Sequence, residues 1–302
     1  MRNFCTLGDS KYLPHLICLI DSINQNCSFD YRIHLLALDD TVLNFFKNKE
    51  RKNVVLHSIN DVEKDFEIRS LKYSEPGQEA ISNASASGKD PKFVQFCWSL
   101  APCFSMYIMD RLNESVTYID ADILVLSDLS HFFSELSTHS IGIVRHRIDY
   151  LYTSGEFNVG IVHFENDMHG RSGLRFWKRM MLNPRNQYSL GFGTCGDQKY
   201  LELINSLYRK NVKIVDDSFG HLAPWNVTFH KYAGDKVIWN GVEQEVFYFH
   251  FAHFVMEEGG KYRASYNNEW IWGDPLGCNE YVKTLYDEYN SRMLSAKREI
   301  FQ

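Results

Sequence analysis

The sequence contains no apolar run long enough to cross a bilayer as a helix, which sets aside an integral membrane protein of that kind. It contains no basic block either. With 32 Lys and Arg against 38 Asp and Glu, the net charge is −6, so no nucleic-acid partner is expected and the acidic excess is too small for a disordered tail. The opening MRNFCTLGDS lacks the apolar core of a signal peptide. No CxxC pair occurs among the seven cysteines, which stand at 5, 18, 27, 97, 103, 195 and 278. An odd, unpaired set reads as reduced, mostly buried thiols of a cytoplasmic protein, and the sequons NCS, NAS, NES and NVT then read as chance matches.

What the chain does have is aliphatic and aromatic mass for a large core, with 17 Tyr, 21 Phe and 6 Trp over 302 residues. Strand and helix patterns alternate from the start. NFCTL reads as a strand, YLPHLICLIDSINQN as a helix with Leu13, Leu16, Ile17 and Ile20 on one face, and YRIHLLAL as a second strand ending at Asp39 and Asp40. TVLNFFKNK then reads as a helix and NVVLHSI as a third strand. A βαβαβ opening predicts an α/β fold with a mixed, mostly parallel sheet and a ligand crevice at the carboxyl ends of its strands. Residues 74–91 (SEPGQEAISNASASGKDP) read as a loop, either a plain surface insertion or a mobile lid. FVQFCWSLAPCFSMYIMDRL follows as a buried helix that Pro102 is expected to kink.

The run VTYIDADILVLSD carries Asp120 and Asp122 amid strand formers. Buried carboxylates need compensation by water, a turn, a basic partner or a metal ion. At i and i+2 of an extended segment the two side chains share a face, and small Ala121 between them leaves room for a ligand. Carboxylate oxygens suit Mg²⁺ and Mn²⁺, which keep open positions for phosphate. A chain of this size yields about one such pattern by chance, so its place at a strand end carries the reading. The plainer alternative is a solvated strand end with Asp128 capping the helix LSHFFSEL.

Seven segments in order resemble the GT-A glycosyltransferases, the group of glycogenin and bacterial lipopolysaccharide galactosyltransferases, and most closely their bacterial polysaccharide-cluster members. They are CTLGDSKYL, FCWSLAPCF, YIDADILVLSD, FNVGIVHFEND, GDQKYLELI, HLAPWNV and FYFHFAHF. The resemblance implies a GT-A domain over residues 1–270, with 271–302 as a helical extension packed on it. It implies that Thr6, Leu7, Asp9 and Tyr12 hold a nucleotide base, with Tyr12 stacking and Asp9 accepting from the base edge. Asp9 could also cap the helix that follows. Asp120, Ala121 and Asp122 would meet the diphosphate, and Asp120, Asp122 and His250 would hold Mn²⁺ or Mg²⁺. His253 falls where relatives have glycine, and on a strand it would face away from His250.

By the same resemblance, Asn158 would bond hydroxyls of donor or acceptor sugar and Gly160 would admit the sugar close to the backbone. Asp197 and Gln198 would be catalytic, Asp197 binding sugar hydroxyls, acting as a base or simply capping a helix. Trp225 would stack on a sugar ring beside Asn226. Two family cations are missing: the phosphate lysine falls near Met256, leaving Lys261 or Arg263 to replace it, and Trp98 and Ser99 stand where relatives have arginine. The implied activity is transfer of a sugar from a nucleotide-diphosphate donor, preferably a UDP-sugar, to a glycan or glycolipid in polysaccharide assembly, with retention favoured over inversion. A nucleotidyltransferase should carry a Gly- and Lys-rich phosphate loop, which TLGDSKY is not. A binding relative without catalysis would have lost part of the set Asp120, Asp122, His250, Asp197 and Gln198. The amphipathic EYVKTLYDEYNSRMLSAKREIF could touch a membrane surface, although its mixed charges favour docking on the protein's own core.

Overall fold

The computed structural model describes the chain except for residues 74, 77–79, 82–83, 86–87, 149–154, 183–195, 217 and 265–273. The predicted βαβαβ opening is present. β1 (Arg2–Gly8), β2 (Tyr31–Ala37) and β3 (Val54–Ser58) alternate with helices α1 (Leu13–Asn26) and α2 (Asp40–Asn48). Short helices α3 (Ile59–Val62) and α4 (Phe66–Ser70) precede the long α5 (Pro91–Leu112), which starts on Pro91 over an Asp90 cap and continues through Pro102. There follow β4 (Val116–Ile119), β5 (Ile123–Val125), α6 (Ser130–Leu136), β6 (Ile141–Arg145), β7 (Phe157–Phe164) and α7 (Met168–Leu182). The remainder comprises α8 (Tyr200–Leu207), β8 (Val212–Ile214), β9 (Gly220–Leu222), β10 (Lys231–Ala233), β11 (Lys236–Trp239), β12 (Val242–His250), β13 (Val255–Met256), β14 (Tyr262–Arg263) and α9 (Glu280–Ile300).

Among the described residues seven strands form the main sheet in the order β3-β2-β1-β4-β7-β6-β8. Only β7 runs against its neighbours, so the sheet is mixed and mostly parallel. β1 leads outward to β2 and β3 on one side, while β4 lies on its other side. That divergence opens a crevice at the carboxyl ends of β1 and β4, where such sheets place ligands. A second sheet, β10-β11-β12-β5 with β9 alongside β12, stands beside it.

Side chains alternate across the main sheet. Phe4 joins one core with α1, α2, β5, β12 and α9, and Cys5 joins another with α5, α7 and α8. Residues 74–91 are not wholly loop: residues 80–81 and 84–85 are helical, and Ala80 and Ala84 are buried against Val94 and Trp98. Two alanines four apart make a small apolar face, enough to seat that turn on α5. Cys195 lies outside the described residues; the other six cysteines are unbridged.

Helix α9 docks on α1 and on the segment after β12. Tyr289 stacks on Phe251 with ring centres 3.9 Å apart, and its hydroxyl lies 2.7 Å from His15 Nδ1. The amphipathic face therefore meets protein, as its mixed charges suggested.

Asp39 ties the first two strand ends together. One carboxylate oxygen accepts from Val42 N at 3.0 Å, capping α2, and the other from Ser10 N at 2.7 Å in the turn after β1. Asp39→Ala is expected to lower stability by about 1–2 kcal/mol, seen in urea unfolding as a lower midpoint at unchanged slope.

Candidate active site

A cavity of about 320 Å³ occupies the crevice between the carboxyl ends of β1 and β4. Asp120 and Asp122 do enter it, but not as neighbours on one face of a strand. β4 stops at Ile119, and Asp120-Ala121-Asp122 is a turn that carries the chain from the main sheet into β5 of the second sheet. Asp120 N donates to Gly160 O at 3.0 Å and Ile123 N to Asp120 O at 3.3 Å, fixing that turn. β5 pairs with β12 so that Ile123 faces His250, and Phe251 N donates to Asp122 O at 2.8 Å. Strand pairing thus delivers the imidazole to the carboxylates. His250 Nε2 lies 3.1 Å from Asp122 Oδ1 and 3.7 Å from Asp120 Oδ2.

One ligand atom from each of the three lies within 4.8 Å of the others. Two carboxylate oxygens and one imidazole nitrogen suit a divalent cation such as Mn²⁺ or Mg²⁺. The electrostatics agree with that fit. Burial, reinforced by the neighbouring carboxylate, raises Asp120 to about 6 although His250 pulls it down. For Asp122, burial opposes ionisation but the imidazole outweighs it and holds the group below the usual range. His250 would be pushed down by burial, yet the two carboxylates raise it. The cluster concentrates negative charge that it neutralises with a shared proton or a cation.

Leu7, Asp9, Tyr12, Asp120, Ala121, Asp122, Asn158, Asp197, Gln198, Trp225 and His250 all contribute to the cavity wall. Asp9 does not cap α1, whose N-cap is Tyr12 without a side-chain bond; its carboxylate instead accepts from Tyr12 N at 3.2 Å, closing the turn before the helix. Thr6 is not in the wall; it is fully buried within β1. Asn226 is also fully covered, accepting from Ala223 N at 2.9 Å and donating to His146 O at 3.2 Å, so it shapes a turn rather than meeting a sugar. Asn158 and Gly160 lie in the body of β7, not in a turn. A methyl on Gly160 would come within 2.5 Å of Asn158 Oδ1 and 2.9 Å of His250 Nδ1, so this glycine makes room for protein side chains.

Asp197 does not cap α8. Asp197 belongs to a turn before the helix, whose N-cap position is taken by Lys199 without a side-chain capping bond. Burial, with Asp120 nearby, raises the Asp197 carboxyl well above its ordinary range. His253 lines the same cavity as His250, because the strand ends at His250 and the chain turns back. Its φ of +66° is left-handed, the conformation that glycine adopts most readily, consistent with its alignment to a glycine. Lys261 precedes β14 and Arg263 lies in it, both outside the cavity wall, with Arg263 bonded to Glu257 at 2.6 Å.

Among the described residues the lysine on the wall is Lys89, which the sequence reading passed over inside the Gly/Ser-rich stretch. Its Nζ sits 4.4 Å from the Tyr12 ring centre and 3.3 Å from the hydroxyl. Burial lowers its pKa, against the pull of Asp9 and Asp122. His146 was also missed; it lines the cavity beside Asn158 and Trp225. Trp98, in place of the family arginine, forms wall against Gly196, whose φ is +53° and where a methyl would meet the indole at 2.9 Å. Ser99 instead bonds back to Gln95 O at 2.8 Å within α5.

A mostly parallel sheet with a carboxylate turn crossing into a second sheet, and a histidine returning from that sheet, is the GT-A fold. No family model matches the chain. The galactosyltransferase LgtC, solved in complex with donor and acceptor sugar analogues, superposes with TM-score 0.59 at 15% identity, over 96% of this chain and 95% of its own. Mouse xyloside xylosyltransferase 1, in its apo form, gives TM-score 0.55 at 14% identity over 82% of this chain and 97% of its own. In sequence, an uncharacterised protein of Bacillus subtilis (strain 168), YfnF, is 24% identical over 267 residues, 83% of this chain and 81% of that protein.

Gly160→Ala is expected to displace His250 and weaken Mn²⁺ binding by roughly tenfold or more. Calorimetric titration of the purified variant checks this, with circular dichroism to establish that the fold persists.

Proposed function

We propose that the protein is a metal-dependent glycosyltransferase. It moves a sugar from a nucleotide-diphosphate donor, with a UDP-sugar favoured, to a glycan or glycolipid acceptor in polysaccharide or lipopolysaccharide assembly. The observation that carries this reading is the meeting of Asp120, Asp122 and His250 in the wall of a cavity that also holds Asp9 and Tyr12 at the end of β1. The first group suits a diphosphate-bound cation, the second a nucleobase. The likeness to LgtC and xyloside xylosyltransferase 1 supports the same reading.

Asp120, Asp122 and His250 would hold Mn²⁺ or Mg²⁺. The cation supplies Lewis-acid stabilisation of the negative charge that accumulates on a departing diphosphate. Tyr12 offers a ring face to the base and Asp9 an acceptor to its edge. Lys89, already in contact with the Tyr12 hydroxyl, is placed to turn toward phosphate oxygens and so takes the role expected of Lys261 or Arg263. Trp225 stands nearly perpendicular to His250, with ring centres 5.2 Å apart, and leaves part of its surface to a sugar. Asp197, whose carboxyl is pushed upward by burial with Asp120 nearby, faces the cavity and is suited to bonding sugar hydroxyls. Retention of configuration is favoured by the resemblance. Residues 1–270 form the catalytic unit in this reading, with the remainder bracing it; a cytoplasmic site of action beside a membrane-bound acceptor is consistent with it.

Turnover of a nucleotide-sugar panel, with and without Mn²⁺, on wild type and Asp122→Ala tests the proposal. Metal-dependent hydrolysis or transfer from one donor, absent in the variant, is the expected result. A protein that neither binds nor turns over any donor would leave the non-catalytic binding relative as the better reading. For Lys89→Met, the donor KM should rise roughly tenfold, the loss of one hydrogen bond to a charged group; an unchanged KM would remove Lys89 from the diphosphate site.

A further inference from the structure

Along the cavity wall runs a chain of hydrogen bonds whose polarity is set by two backbone groups. At one end Gly155 O lies 2.9 Å from His146 Nδ1. A carbonyl can only accept, so Nδ1 carries the proton and Nε2 of the neutral ring is a lone pair. Burial, which presses the pKa of His146 down to about 4, keeps that ring neutral. In the middle, Gly160 N–H lies 2.8 Å from the Asn158 amide. An N–H can only donate, so the amide must turn its oxygen to Gly160 and its nitrogen to the other side.

The remaining partners then follow. Asn158 Nδ2 donates to His146 Nε2 at 3.3 Å and to Gln198 Oε1 at 3.4 Å. Asn158 Oδ1 stands 3.3 Å from His250 Nδ1, which must therefore be protonated for the contact to be attractive. Both N–H groups and the oxygen of Asn158 are engaged within the protein, which leaves little of this amide for a sugar hydroxyl. The nitrogen of His250 facing Asp120 and Asp122 is Nε2.

The surroundings fix His146 with unusual thoroughness. Its carbonyl accepts from Trp225 Nε1 at 3.1 Å and from Asn226 Nδ2 at 3.2 Å, and its N–H donates to Glu156 O at 2.9 Å. The next residue, Arg147, has a left-handed φ of +58°. A non-glycine residue keeps that conformation only where its neighbours over-determine it. Arg147 is fully buried, with Nε donating to Asp216 Oδ1 at 3.0 Å, Nη1 to Gln244 Oε1 at 2.9 Å, and Nη2 to the carbonyls of Asp216 and Phe219 at 2.6 and 2.8 Å. Nothing in that pair touches the cavity; it anchors the residue that does.

Resting on the metal-site reading above, we propose that His146 and Asn158 are positioning residues. Together they hold His250 with Nδ1 protonated, so that Nε2 offers a lone pair to a cation shared with Asp120 and Asp122. Outer groups of this kind orient a ligating imidazole and typically account for 10–100-fold in metal affinity.

Two measurements test the assignment. In the metal-free wild-type protein labelled with ¹⁵N-histidine, long-range proton–nitrogen spectra should show His146, assigned by its loss in His146→Gln, as the neutral Nδ1–H tautomer. A proton on Nε2 would overturn the proposal whatever the variants do. In Mn²⁺ titrations, Asn158→Leu should bind about 10–100-fold more weakly and His146→Leu about tenfold more weakly. His146→Gln, which keeps an acceptor for Asn158, should recover most of the affinity. Wild-type affinity in a folded Asn158→Leu would remove the positioning role. By contrast, wild-type affinity in Asp122→Ala would remove the metal site itself, so the two failures are distinguishable.

Discussion

Mutual repulsion between Asp120 and Asp122 is the constraint around which this molecule is arranged. Two carboxylates with one residue between them, in a partly covered crevice, resist being held together, and the charge on Asp122 raises the affinity of Asp120 for a proton. The chain answers with an imidazole 3.1 Å from one of them, and it spends considerable architecture on that contact. The turn that bears the carboxylates leaves one sheet, the strand that bears His250 lies in another, and β5 pairs with β12 to join them. The second sheet is thus the means by which a residue far along the sequence reaches the end of β4.

The same constraint explains why so many polar groups near the cavity face inward. Arg147 and Asp216 form a buried pair, the kind that costs about 3–5 kcal/mol when one partner is removed. A well-packed apolar pair would serve stability as well. A rigid backbone beside His146 is what the ion pair adds, and the left-handed φ at Arg147 is the strain that it holds in place. Asn226 and the indole nitrogen of Trp225 converge on the same carbonyl.

Much of this was legible in the sequence, and the limits have physical causes. Alternating βα patterns gave the fold class, and strand context picked out Asp120 and Asp122, because burying carboxylates at a strand end demands a reason. His250 followed from resemblance and from the carboxylates together. A resemblance carries a stretch of residues over together but not which of two neighbours faces the open side, so Thr6 was expected in the cavity with Leu7 and lies inside the sheet. The resemblance of the Asn-x-Gly segment suggested close approach of a sugar at Gly160, where the structure shows Asn158 and His250 side chains taking the space. Lys89 stood in a stretch whose composition reads as loop, and His146 had no motif at all. Their places depend on how distant segments come together, which local pattern does not encode. The predicted opposition of His250 and His253 failed because it assumed that the strand continued one turn too far.

Helix α9 follows every described strand in chain order, and its Tyr289 stacks on Phe251, the residue whose N–H holds Asp122 O. During synthesis, β1, β4 and even β12 leave the ribosome before this brace exists. The sheet can assemble early from its nearer segments, but the contact of Tyr289 with Phe251 forms only after α9 has emerged. Until then the nascent chain carries its carboxylate turn without that support. Order of emergence therefore separates the moment the fold forms from the moment its site is complete.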